Sequence, residues 1–139
     1  MPQPIHILLV DDDHRANQEN SKIIREHGLC SCVRIALNGG HALLCLDQIY
    51  NHQPHDTLII LLDTQMPIMN GFEFLNEFSK ANYRFKSKVK IIMMLSEQGN
   101  RSDIERARQY GISSFIQKPV NPAELARLVS SGPQNKKVA

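Results

Sequence analysis

Three apolar runs in this chain each end in polar residues. Residues 5–10 (IHILLV) lead into Asp11, Asp12 and Asp13, residues 57–62 (TLIILL) into Asp63, and residues 113–117 (SSFIQ) into Lys118 and Pro119. If these runs are parallel strands of one sheet, their C-terminal ends meet at one edge and bring the acidic residues, the lone aspartate and the lysine together. Carboxylates a few ångströms apart repel, and each raises the other's pKa unless a cation intervenes. A divalent ion therefore follows from the cluster. With no cysteine or histidine at ligand spacing, the oxygen-only donor set favours Mg2+ or Mn2+ over zinc. Lys118 is then placed as a mobile counter-charge to a phosphoryl group.

The rest of the chain alternates strand and helix patterns about five times. Strands are expected at 5–10, 32–37, 57–62, 89–95 and 114–117, several of them apolar throughout, as strands covered on both faces must be. Helices are expected at 15–27, ending at Gly28, at 40–50 with Leu43, Leu46 and Ile49 on one stripe, at 71–80 with Phe72, Leu75 and Phe78, and at 103–110, ending at Gly111. A fifth opens with Asn121 as N-cap, Pro122 at N1 and Glu124 at N3. This order implies an open parallel sheet with helices on both faces, joined by right-handed crossovers. Residues 51–56 and 81–88 read as long loops, and 132–139 as a disordered C-terminal tail after one domain spanning 1–131.

Composition narrows the classes further. At 139 residues and 42% hydrophobic, the chain has enough apolar surface for one core without disulfides. Neither a basic leader nor a run near the roughly 18 apolar residues of a membrane span is visible, so a cytoplasmic protein with no membrane partner is expected. Three cysteines, Cys30, Cys32 and Cys45, read as reduced thiols, and the net charge of +2 does not argue for nucleic acid. His52 and His55 lack further ligands and read as surface side chains. Asp13 reads as the N-cap of the first helix and is left out of the metal site.

VDDD after the first strand, LLDTQMPIMNGFEFL after the third, MMLS after the fourth and KP after the fifth together resemble the receiver domain of two-component response regulators, in its stand-alone, chemotaxis-regulator-like form. The resemblance covers about residues 5–129. It implies a flavodoxin-like (βα)5 fold with strand order 2-1-3-4-5. It also implies that Asp63 is the phospho-acceptor, that Asp12 holds Mg2+ directly and Asp11 through water, and that the backbone carbonyl of Gln65 completes the protein ligands. Ser96 stands at the family's conformational Thr/Ser position, Phe115 at its aromatic switch, and Lys118, joined to Pro119 by a cis peptide, at the lysine that contacts the phosphoryl group.

The implied chemistry is in-line attack by Asp63 on the phosphorus of a donor phosphohistidine, from a histidine kinase or a histidine phosphotransfer protein. The aspartyl phosphate would draw Ser96 inward, make room for Phe115 and shift a surface carrying Ile104, Arg108 and Arg127 toward a downstream protein target. On this reading the chain is a signalling switch, not a turnover enzyme, beyond its own phosphoryl transfer and slow autodephosphorylation. It is a monomer or a phosphorylation-dependent weak dimer. Two other classes compete with this reading. An aspartate-nucleophile phosphatase needs a second acid two residues past the nucleophile, where Gln65 stands. A phosphorylation-independent pseudo-receiver interaction module would have no need of the full set of chemical residues. Glu97, with Gln98 after it, is expected beside the mouth of the site, where a carboxylate would slow both phosphorylation by small anionic donors and autodephosphorylation.

Overall fold

The unbroken apolar runs become strands covered on both faces. The computed structural model describes residues 4–30, 32–81, 86–96 and 101–131. Strands β1 (Ile5–Val10), β2 (Cys32–Ala36), β3 (Thr57–Asp63), β4 (Val89–Leu95) and β5 (Ser114–Gln117) form one parallel sheet in the order β2-β1-β3-β4-β5. Val10 pairs with both Ala36 and Leu62, Asp63 with Met94, and Leu95 with Gln117. The register brings the strand ends level, so whatever follows each strand emerges at one edge.

Helices α1 (His14–Glu26), α2 (Gly39–His52), α3 (Gly71–Lys80), α4 (Arg101–Arg108) and α5 (Pro122–Ser130) cover the two faces. Because side chains alternate along a strand, Ile7, Leu9, Ile59, Leu61, Ile92 and Met94 pack with Ile24 of α1 and with Leu125 and Val129 of α5. Leu8, Val10, Leu58, Ile60 and Leu62 pack on the other face with Leu46 and Ile49 of α2 and with Phe72, Phe74 and Leu75 of α3. Each fully buried side chain of this kind contributes roughly 1.5–3 kcal/mol. The arrangement is flavodoxin-like, as expected.

Local signals set most helix ends. Asp13 caps α1 by accepting from the backbone N–H groups of Arg15 and Ala16, Asn70 and Glu73 form a reciprocal capping box on α3, and Asn121 caps α5 with Pro122 next. Gly28 and Gly111 take the left-handed conformation just past α1 and α4. The start of α2 departs from expectation, and a distant contact lies behind it. Helix α2 begins at Gly39, with Asn38 as its cap, and runs to His52, shortening the expected loop. Gly39 donates to the Met69 carbonyl at 2.8 Å, and a Cβ there would meet Met69 Cγ at 2.6 Å, so the glycine pair marks a close approach of the β3–α3 loop and not a break. Helix α4 starts at Arg101, two residues early, and Lys86–Lys88 form a short 3-10 turn within the expected loop at 81–88, of which 82–85 lie outside the described residues. The expected disordered tail, 132–139, also lies outside them.

A buried histidine and a buried lysine occupy the end of the sheet where the strands begin. His6 pairs through Nε2 with Asp56 Oδ2 at 2.7 Å. Lys90, 3% exposed within apolar β4, donates from Nζ to the Leu128 carbonyl at 2.6 Å and to the Ser131 hydroxyl, placing a cation at the C-terminus of α5. The three cysteines are free thiols, Cys45 buried and the other two half-buried. Among the described residues no helix is long and apolar enough to cross a membrane.

Candidate functional site

At the opposite edge, Asp11 leaves β1 fully buried and with every polar group engaged. Its N–H donates to the Ala36 carbonyl at 3.0 Å, its Oδ1 accepts from the Asp13 N–H at 3.0 Å, and its Oδ2 accepts from Lys118 Nζ at 2.9 Å. Its carbonyl accepts from Asn17 Nδ2 at 2.8 Å. Asp12, next in the chain, is exposed. Asp63 closes β3, and its Oδ1 accepts from the Thr64 N–H at 3.0 Å and from Lys118 Nζ at 3.2 Å. Lys118 is fixed in turn by its own N–H, which donates to the Leu95 carbonyl at 2.8 Å, and its peptide to Pro119 is cis.

One carboxylate oxygen from each of Asp11, Asp12 and Asp63 lies within 4.8 Å of the others, the sole such grouping of potential ligands among the described residues. Asp11 and Asp63 thus share the Lys118 ammonium, with the Asp12 carboxylate as a third negative charge beside them. Burial and the nearby Asp11 charge raise the Asp63 pKa to about 6, with Lys118 opposing them incompletely. For Lys118, burial alone would lower the pKa, but its bonds to Asp11 and Asp63 and their charges push it up. The ammonium stays charged, and Asp63 is largely ionised at neutral pH. The donor set is all oxygen, compact and short of positive charge, which fits a hard divalent cation.

The β3–α3 loop is held against this edge. Gly71 N–H donates to the Thr64 carbonyl at 3.2 Å, and a Cβ on Gly71 would collide with the Asp63 carbonyl oxygen. Glycine is required there by close approach. Ile68, 87% exposed, takes a φ of 69°, a left-handed conformation that costs a β-branched residue on the order of 1–3 kcal/mol and that no burial offsets.

The structure brings Asp11, Asp12, Asp63 and Lys118 into one group. Gln65 is exposed two residues beyond Asp63, beside a cleft shared with Asn70, Asp103 and Arg106. Ser96 is the exposed residue that follows β4 at the same edge, and Phe115 in β5 is half-buried against the α2–α3 side of the core. On the expected output surface Ile104 is half-buried, while Arg108 and Arg127 are exposed. Glu97 and Gln98 lie outside the described residues. Two contacts were not anticipated: the Asn17 bond to Asp11, and Arg106 of α4 stacked 4.2 Å over the Phe72 ring of α3. A signal for the first did exist, since Asn17, Asn20, Ser21 and Ile24 form the inward stripe of α1 and three of those four are polar.

Residues 7–130 match the response regulator receiver domain. Response regulator Rre1 of Synechocystis is 29% identical over 129 residues, covering 93% of this chain and 52% of that protein. The chain spans about half the length, or less, of the curated relatives it matches. Among solved structures, a putative response regulator from Chloroflexus aurantiacus is similar with a TM-score of 0.71 and 28% identity, covering 93% of this chain and 95% of that one. A chain of the CheX-CheY-BeF3-Mg+2 complex from Borrelia burgdorferi is similar with a TM-score of 0.73 and 26% identity, covering 93% and 89%.

Proposed function

The chain belongs to the response regulator receiver family of two-component signalling, and from that membership we propose that it accepts a phosphoryl group on Asp63 from a histidine kinase or a histidine phosphotransfer protein. The observation that carries the reading is the shared ammonium: Lys118 reaches both Asp11 and Asp63, beside three carboxylates clustered within 4.8 Å. Asp63 is the nucleophile. Its oxygen forms the new bond to phosphorus while the P–N bond to the donor imidazole breaks and its electron pair returns to the ring nitrogen. Thr64 N–H and Lys118 hold Oδ1 and leave the second oxygen without a hydrogen-bond donor among the described residues.

Asp11, Asp12, Asp63 and the Gln65 carbonyl would hold Mg2+, which supplies positive charge against the oxygens of the transferring group. The relative from Borrelia burgdorferi, whose structure is described with BeF3, Mg2+ and a protein partner, supports the same assignment. Lys118 turns from its carboxylates toward the new phosphoryl oxygens. The Ser96 hydroxyl follows it, and Phe115 moves into the space vacated, which alters the α4–β5–α5 surface seen by a downstream protein. The domain comprises residues 1–131, and its place of action is the cytoplasm.

Incubation with acetyl phosphate and Mg2+, followed by intact mass measurement, tests this reading. Addition of one phosphoryl group to the wild type and none to Asp63→Asn is expected. An unmodified wild type would instead favour a phosphorylation-independent interaction module, and equal labelling of the Asn variant would move the acceptor elsewhere.

A further inference from the structure

The buried face of α1 carries a cost that packing does not explain. Asn17 is 2% exposed; its Nδ2 donates to the Asp11 carbonyl, while its Oδ1 is buried with no partner. A leucine at this position would leave no orphaned oxygen, a defect that a buried polar group otherwise carries at a cost in stability. Turning the amide over does not help, because it would set Oδ1 against the Asp11 carbonyl, acceptor against acceptor. The side chain is therefore held in an orientation that serves the donor and leaves its own oxygen unmet.

What the donor holds is the peptide between Asp11 and Asp12. That unit is planar, so fixing its carbonyl fixes the direction in which the chain enters Asp12. The other members of the cluster are anchored through their side chains: Asp11 by Asp13 and Lys118, Asp63 by Thr64 and Lys118. Asp12 is exposed, and among the described residues its carboxylate has no hydrogen-bond partner. Its aim depends on the backbone alone, against repulsion from two neighbouring carboxylates that would turn it outward.

We propose that Asn17 is a positioning residue for the cation site, holding the Asp11–Asp12 peptide plane so that Asp12 faces the metal before it binds. The proposal rests on the reading of the cluster as a Mg2+ site. Asn17 touches neither the cation nor the phosphoryl group; it acts through Asp12.

Calorimetric Mg2+ titration of the full chain, with the metal alone as ligand, provides the test. Asn17→Leu keeps the number of side-chain heavy atoms and removes the donor, and Asn17→Asp keeps the shape and replaces the donor by an acceptor. Both should weaken Mg2+ binding by about ten-fold, the scale seen when a partner behind a metal ligand is lost. Asn20→Leu, one turn along the same buried face, is the control for a general effect on α1 and should bind as the wild type does. At saturating Mg2+ the phosphorylation rate of Asn17→Leu should return to the wild-type value, which separates lost positioning from a damaged acceptor. In metal-free protein the Asp12 amide resonance should shift in Asn17→Leu and not in Asn20→Leu. Wild-type affinity in both Asn17 variants, or equal loss in Asn20→Leu, overturns the proposal and leaves the Mg2+ site standing. A wild type that gives no Mg2+ response overturns both.

Discussion

At the end of the sheet where the strands begin, Lys90 meets the C-terminal groups of α5, and His6 meets the carboxylate of Asp56 through Nε2 while its buried Nδ1 has no partner. At the end where the strands finish, Asp11, Asp12 and Asp63 cluster together, and among the described residues Lys118 is the cation paired with them, through Asp11 and Asp63. Both ends belong to the same strands and the same core, so the difference lies in the charge ratio. A matched end calls for no added ion. A mismatched end holds an excess of negative charge that folding alone does not relieve, and that deficit would give an added cation its binding energy.

The comparison is most exposed to Lys118→Met, which turns three carboxylates and one ammonium into three carboxylates alone. Urea unfolding at pH 7.5 without Mg2+ should show a loss of about 2–3 kcal/mol, reduced from the value for fully buried pairs because Lys118 is partly exposed. Added Mg2+ should restore part of it. A Mg2+-independent loss would mean that the ammonium is not balancing the acidic group.

Lys90→Met is the matching test at the other end and should cost about 1.5–3 kcal/mol, the worth of hydrogen bonds to a charged donor. Here the loss should be identical with and without Mg2+, and acetyl phosphate labelling should proceed at the wild-type rate. Any coupling between Lys90 and Mg2+ would show that the two ends do not act independently.

Asp63→Asn should raise stability. The folded-state pKa of Asp63, about 6, lies above its ordinary value of 3.8, so the folded chain binds more protons than the unfolded chain between about pH 4 and pH 6. Wild-type stability therefore falls as pH rises through that window, and ionised Asp63 weakens the fold above it. With allowance for partial exposure, the Asn variant should exceed the wild type by about 1–2 kcal/mol at pH 7.5 and match it near pH 4 in denaturant titrations. Saturating Mg2+ should narrow the gap. An Asn variant less stable than the wild type at pH 7.5 would reverse the sign assigned to this edge.

The smallest effect is that of simple salt. Raising NaCl from about 0.05 to about 0.5 M should close the same gap by about 0.3 kcal/mol, since screening reaches exposed Asp12 but hardly touches buried Asp11. A larger closure would place the repulsion in solvent-exposed pairs.

The two ends also differ in how far a linear reading reaches them. Asp11, Asp12, Asp63 and Lys118 were legible because each ends or follows an apolar run, and parallel strands bring such positions to one edge. Asp13 and Asn121 were legible because a cap bonds only to residues next to it. Lys90 was not: inside VKIIMML it interrupts the pattern, and its partner is a carbonyl 38 residues further on. Gly39 failed for the same reason, since its fit at the start of α2 depends on Met69, whereas the Asn38 cap, which accepts from the His41 N–H, was a local signal passed over. Asn17 belongs between these cases. Its place on the inward stripe of α1 could be read, but the carbonyl that it serves follows from the turn that only the folded chain makes.

Lys90 also limits how the domain can be joined to another polypeptide. A chain shortened to end at Arg127 would retain every strand and every site residue, yet it would keep an ammonium in the sheet with its acceptors removed. Lengthening α5 as one rigid rod raises the reverse problem, because a continuing helix would claim the Leu128 carbonyl for its own backbone ladder, in competition with Lys90. A fusion partner is therefore best attached after Ser131 through a flexible joint, which leaves the last turn of α5 free to accept from the sheet below it.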